Sequence, residues 1–266
     1  MHDVIAFHNL KKMPFDKSIK AAAALDTGPS KECAARLGFI KQRGGIMLLT
    51  GDPGVGKTIA IRRFCAGLND NIFKPLYTPL STLKGADLLR HINDRLGLTR
   101  RASKAAVYEQ IQNELLDSRE QRGKTVVLII DEAHLLRTCS LQELRLLTNF
   151  KMDSFDPFIL ILAGQIELRK TMDLGVMEAF SQRIALQHTM APLDPAETIE
   201  YVEAQMKIAG ARDPVFAPDS LAAIHEVTFG IPRRIGMTAE MALTLAMLEN
   251  RKSIDADLIL KAKSLG

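Results

Sequence analysis

The sequence predicts an α/β protein: a parallel sheet flanked by helices, followed by a small all-helical domain. Short apolar runs alternate with segments of helical spacing, the order that a parallel sheet with crossover helices requires. Two of those runs, Thr125–Ile130 and Phe158–Ala163, are apolar almost throughout, as strands buried on both faces are. Beyond Leu193 the strand patterns cease, and only helical ones continue to Gly266.

After an N-terminal segment, Ile46–Thr50 reads as a buried strand running straight into Gly51. Lys57–Leu68 follows as a helix, with Ile59, Ile61, Phe64 and Leu68 on roughly helical spacing. Lys74–Leu80 is a short strand. Leu88, Leu89, Ile92 and Leu96 mark an amphipathic helix stopped by Gly97. A basic connector, Thr99–Lys104, leads to a helix carrying Val107, Ile111 and Leu115. After the Thr125–Ile130 strand, Ser140-Leu141-Gln142-Glu143 has the pattern of a capping box, opening a helix through Leu144, Leu147 and Phe150. Phe158–Ala163 is the next strand and Ile184–Met190 a weaker one. Asp194-Pro195-Ala196-Glu197 then sets a cap, a first-turn proline and an N3 acid in order. Helices are expected over Thr198–Ala209, Asp219–Thr228, Arg233–Glu249 and Asp255–Lys263. Residues 1–193 therefore read as an N-terminal segment plus the α/β domain, and 194–266 as the helical one.

A chain of 266 residues with 47% hydrophobic and 25% charged side chains has an ordinary globular composition. No run approaches the roughly 20 apolar residues of a membrane helix, and Met1–Lys20 has no signal-peptide core. The expectation is a cytoplasmic protein with no membrane partner. Cys33, Cys65 and Cys139 are scattered and form no CxxC pair, so neither a zinc site nor a disulfide framework is suggested. The net charge of +4 is compatible with a nucleic-acid partner without demanding one.

Chemistry enters at Gly51-Asp52-Pro53-Gly54-Val55-Gly56-Lys57-Thr58, which fits G-x-x-x-x-G-K-[ST] between a strand and a helix. Glycines let successive backbone N–H groups turn inward onto phosphates at a helix N-terminus. Lys57 is expected to neutralise the β- and γ-phosphates of ATP and Thr58 to hold Mg²⁺, with Ile59 completing the nucleotide-binding run. Asp131 ends a buried strand and is the second Mg²⁺ residue; Glu132, next in line, is placed to polarise an attacking water. With Ala133 and His134 the acids spell D-E-A-H, a string shared with helicases, but those need two such α/β domains and only one fits here. His134 is read as a polar neighbour.

This arrangement resembles the AAA+ ATPases over nearly the whole chain. Within them it is most similar to the ATPases encoded beside transposases, with the ATPase domain of the general secretion pathway A proteins a near relative. The residues carrying the likeness are Met13-Pro14-Phe15, Gly51–Thr58, Ile129–His134, Ile161-Leu162-Ala163-Gly164-Gln165, Gln182-Arg183-Ile184 and Gly230-Ile231-Pro232-Arg233. The resemblance implies that the helical domain is a lid. It implies that Gln165 is the sensor-1 residue reading the γ-phosphate, where the family often carries Asn, Thr or Ser. Arg183 matches the arginine finger, acting on a neighbouring subunit's nucleotide, and Arg233 matches sensor 2, with Arg234 as the alternative. Such ATPases assemble around double-stranded DNA as hexameric rings or helical filaments. The corresponding DNA-contacting loops here are Ser81–Gly85, with Lys84, and Leu98–Lys104, with Arg100, Arg101 and Lys104. Phosphate contacts of that kind give affinity without sequence readout and a steep salt dependence.

The expected activity is hydrolysis of ATP to ADP and phosphate by a homo-oligomer that binds double-stranded DNA and serves a transposase. One alternative is an ATP-dependent scaffold of a secretion system without DNA contact. The secretion relatives usually add membrane and cell-wall-binding segments, which do not appear here. Another is a helicase loader or replication initiator, which would be expected to carry a further DNA- or helicase-binding domain.

Overall fold

A computed structural model describes residues 2–15, 25–79 and 83–265. Leu80, Ser81 and Thr82 lie outside the described residues, and with them the end of the strand expected over Lys74–Leu80 and the start of the Ser81–Gly85 loop. In chain order the elements are α1 (His2–Phe7), α2 (Gly28–Arg43), β1 (Gly45–Thr50), α3 (Lys57–Ala66), β2 (Phe73–Thr78), α4 (Gly85–Leu96), α5 (Lys104–Glu120) and β3 (Thr125–Ile130). There follow α6 (Thr138–Leu147), β4 (Phe158–Ala163), α7 (Ile166–Met172), α8 (Glu178–Ser181), β5 (Ile184–Thr189), α9 (Pro195–Ala209), α10 (Pro218–Thr228), α11 (Pro232–Leu248) and α12 (Ala256–Leu265). They divide into two compact units, Cys33–Gly51 with Lys57–Met190, and Met1–Glu32 with Asp52–Gly56 and Ala191–Gly266.

The first unit holds the sheet. Its five strands run parallel in the order β2-β3-β4-β1-β5. The three inner strands are buried at every position, which is why their sequences are unbroken apolar runs instead of alternating ones. On one face Leu48, Leu128, Ile130, Leu160 and Leu162 pack with the apolar stripes of α4, α5 and α6. The intervening residues Met47, Leu49, Val127, Ile129, Ile159 and Ile161 are equally buried, so both faces are covered. The edge strands β2 and β5 keep partly exposed residues, hence their weaker apolar signal.

One local expectation is corrected, and one helix is added to those expected. Ser140 and Glu143 form no capping box, because α6 begins earlier, at Thr138, with Arg137 before it. The Ser140 hydroxyl donates instead to the Leu83 carbonyl at 2.9 Å, and Glu143 receives the Lys104 ammonium at 2.5 Å. Helix α2 was not read from the sequence at all, although its buried residues Cys33, Leu37 and Ile40 stand at helical spacing.

The second unit is built on α9 to α12. At its entry the capping box at Asp194 is complete: Asp194 Oδ1 accepts from Glu197 N at 2.8 Å, and Glu197 Oε2 accepts from Asp194 N at 3.0 Å. The other oxygen of Glu197 accepts from Gly28 N at 2.6 Å. The start of the chain clusters here as well. Val4 and Leu10 enter the core that contains Val202, Ile224, Ile235, Leu243 and Leu258. Lys11 N donates to the Ala209 carbonyl at 2.7 Å, and His8 Nε2 lies 2.9 Å from the Leu243 carbonyl. Val4 of the short helix α1 and Leu10 just beyond it thus find cover among helices distant in sequence. Gly230 is fixed by close approach: its φ is +68°, and a Cβ there would stand 1.9 Å from the Leu193 carbonyl oxygen.

Candidate nucleotide site

In a parallel sheet the loops that leave the strands all emerge along one edge. Here that edge carries Gly51 after β1, Gln165 shortly after β4, and Asp131 and Glu132 after β3, in the strand order β1, β4, β3. Lys57 is 6% exposed, and its ammonium donates to the Gly51 carbonyl at 2.8 Å, closing the loop on itself. Thr58 Oγ1 donates to Asp131 Oδ2 at 2.8 Å.

Asp131 is the most heavily used carboxylate of the edge. Its Oδ2 accepts from Thr58 and also from the Tyr77 hydroxyl at 2.8 Å, while Oδ1 accepts from the backbone N–H of Glu132 at 2.9 Å. Tyr77 was not anticipated. It sits in β2 beside Ile129 of β3, so the pairing of those strands delivers its hydroxyl to the end of β3. Burial, then the hydrogen bond to Asp131, push the Tyr77 phenol up to about 12.

Glu132 has a left-handed backbone, with φ of +53°, and opens a short 3₁₀ turn over Ala133–Leu135. Its side chain is 49% exposed, whereas that of His134 is 10% exposed, and His134 Nδ1 lies 3.5 Å from Glu132 Oε2. The same Nδ1 is 3.4 Å from the backbone N of Gln165, which donates to it. The Gln165 side chain is half-buried at the N-terminus of α7.

Asp52–Gly56, the middle of the glycine loop, clusters with the helical unit. There Arg233 N donates to the Gly54 carbonyl at 3.3 Å. Gly54 has φ of +91°, and a Cβ on it would meet the Arg233 Cβ at 2.7 Å, so this position requires glycine. Val55 is buried, Asp52 and Pro53 are exposed, and Ile59 is 45% exposed. Arg233 and Arg234 are both exposed; the loop is met by Arg233.

Arg183 stands elsewhere. It precedes β5, whose first residue pairs with Ile46 near the start of β1, so it occupies the edge of the sheet opposite the glycine loop. Its guanidinium donates to Thr148 Oγ1 at 3.2 Å and to the Arg145 carbonyl at 3.4 Å, where it meets the carbonyl end of α6. Together with Ile46, Thr148 and Asp156 it lines an open cleft.

The basic residues assigned to DNA are exposed in part and paired in part. Lys84 is exposed ahead of α4. Arg100 meets Asp94 at 3.1 Å with its side chain 88% exposed, Arg101 Nε donates to Gln110 at 3.3 Å, and Lys104 meets Glu143. Among the described residues no group of three His, Cys, Asp or Glu side chains is set to hold a metal, and no helix is long and apolar enough to cross a membrane. Cys33 is buried, Cys65 half-buried and Cys139 exposed.

A five-stranded parallel sheet flanked by helices, whose strand β1 feeds a glycine loop ending in Lys-Thr and whose strand β3 is followed by Asp-Glu, has the fold of a P-loop NTPase of the AAA+ type. Residues 40–172 match the family described as AAA domain, and the chain belongs to that family. It is 30% identical over 260 residues to the general secretion pathway protein A of Aeromonas hydrophila, an alignment that takes in 96% of this chain. The chain spans only 47% of that relative's length. Among solved structures it is similar to Cdc6p from Pyrobaculum aerophilum, with a TM-score of 0.65 at 15% identity over 97% of this chain and 70% of that one. The Aeropyrum pernix ORC1 protein in complex with DNA gives 0.62 at 17% over 99% and 68%. The Thermotoga maritima RuvB Holliday junction branch migration motor gives 0.59 at 19% over 97% and 73%. At such identities the likeness is one of fold.

Proposed function

We propose that this protein binds and hydrolyses ATP with Mg²⁺, assembles as a homo-oligomer on double-stranded DNA, and acts as the accessory ATPase of a transposase. The observation that carries the nucleotide chemistry is the pair Thr58 Oγ1–Asp131 Oδ2 at 2.8 Å beside a buried Lys57. A hydroxyl and a carboxylate oxygen held that close are the hard donors that Mg²⁺ takes from a protein when phosphate oxygens and water complete its shell. Bound there, the cation supplies charge neutralisation on the β- and γ-phosphates.

Each residue then has a role. Lys57 gives up the Gly51 carbonyl for the phosphates; Thr58 and Asp131 hold the metal; Glu132 orients and deprotonates the water. Gln165 reads the γ-phosphate from the end of β4. Arg233, already bonded through its backbone to Gly54, serves as sensor 2. Arg183, on the far edge of the sheet, acts in a neighbouring chain, where a guanidinium adds charge stabilisation only once subunits assemble.

DNA binding rests on the resemblance to transposition ATPases and on the exposed cations Lys84, Arg100 and Arg101. The fold shared with a protein solved in complex with DNA is compatible with it. A second reading, an ATP-dependent assembly factor of a secretion system, is favoured by the 30% identity to the secretion protein. Electron microscopy with a slowly hydrolysed ATP analogue, with and without duplex DNA, separates the two. Rings or filaments enclosing DNA are expected, and Lys57→Ala should abolish them. Assemblies that form equally without DNA, with no retention of the duplex, would favour the secretion reading.

A further inference from the structure

His134 is the one polar side chain of the acidic turn to which the reaction above gives no task. It is almost buried, and its Nδ1 faces two groups at once: the Glu132 carboxylate at 3.5 Å and the Gln165 backbone N–H at 3.4 Å. The two demands conflict. A ring nitrogen that bears a proton donates to the carboxylate; a bare one accepts from the N–H; it cannot do both. The turn after β4 lies directly against the start of this residue: a Cβ on Gly164 would stand 3.0 Å from His134 N and 3.4 Å from His134 Cβ.

We infer that His134 is a positioning residue that couples Glu132 to the turn after β4, with Nδ1 serving Gln165 or Glu132 in alternation. The inference rests on the proposed ATPase reading. In this arrangement the Gln165 N–H donates to Nδ1, and Glu132 is left half-exposed. When Gln165 is drawn to a γ-phosphate, its amide leaves Nδ1. Nε2 then releases its proton to water, Nδ1 takes one up, and the new Nδ1–H donates to the Glu132 carboxylate, holding it toward the attacking water. The left-handed backbone at Glu132 makes this useful, because the exposed carboxylate has no other described partner fixing its direction.

The test uses the full chain labelled with ¹⁵N at its histidines, of which there are six. The ring nitrogens are read by two-bond ¹H–¹⁵N correlation, with His134 assigned by the loss of its signals in His134→Gln. Such spectra observe the protonation pattern of each ring directly. Without nucleotide, Nδ1 should give an acceptor-type shift; with Mg²⁺ and a non-hydrolysable ATP analogue it should become N–H type. In parallel, His134→Ala should lower kcat about tenfold, as expected for a mis-set base, while ATP affinity stays within about twofold. An Nδ1 that keeps one protonation state in both samples overturns the inference, and so does an unchanged kcat in His134→Ala. If calorimetry finds no binding of the analogue at all, the ATPase reading has failed, and the alternation falls with it.

Discussion

Tyr77 and Tyr201 show how one residue type answers to two surroundings. Tyr77 donates to Asp131, while Tyr201 lies 6.0 Å from the Phe15 ring in the helical unit. Burial pushes both phenols up to about 12. A phenol ionises by losing a proton, so a raised value means the folded state favours the neutral form. That stability is intact below the ordinary phenol value of about 10 and is lost as pH climbs from there through about 12. Thermal melting should therefore drop across this alkaline window, and Tyr201→Phe should drop less than the wild type. Equal losses in the two would show that Tyr201 is not the titrating group. At this scale the sequence was legible where a motif fixes spacing, as for Lys57, Thr58 and Asp131. Tyr77 escaped because no local pattern ties a residue of one strand to the end of another; only the β2–β3 pairing does.

At the scale of elements, the inner strands could be read because burial on both faces leaves little but apolar side chains. The first helix of the second unit could be read because its cap announces it, and Asp194 with Glu197 behaves as their spacing implied. The Ser140–Glu143 pattern failed for a physical reason: the same side chains had better partners in Leu83 and Lys104. Helix α2 escaped notice because its few buried positions are set among lysines, arginines and a glutamate. The joint between Leu193 and Gly230 is closely packed, with Leu193 N donating to the Gly230 carbonyl at 2.9 Å. Gly230→Ala combines a left-handed backbone with a clash against main chain, so a loss above about 3 kcal/mol is expected. Urea unfolding measures it, and a cost within about 1 kcal/mol would mean that the joint relaxes readily.

At the scale of the whole molecule, the proposed parts of one reaction sit on opposite edges of the sheet. Strand β1 has six residues, which at about 3.3 Å each puts roughly 20 Å between Gly51 and the level of Arg183. Arg183→Ala should retain ATP binding and lose hydrolysis; Lys57→Ala should lose both. Mixed together, the two inactive variants should regain a measurable part of the rate, since some junctions then join an intact loop to an intact arginine. A mixture as dead as its components would remove Arg183 from that role.

That polarity also sets a rule of counting. With the arginine working across a junction, an open run of n chains completes n − 1 centres, and the chain at one end always idles. A closed circle wastes none. Turnover per chain would thus rise gradually with length in a filament but step up at a single stoichiometry in a ring, so a dilution series would report the topology of the assembly without an image.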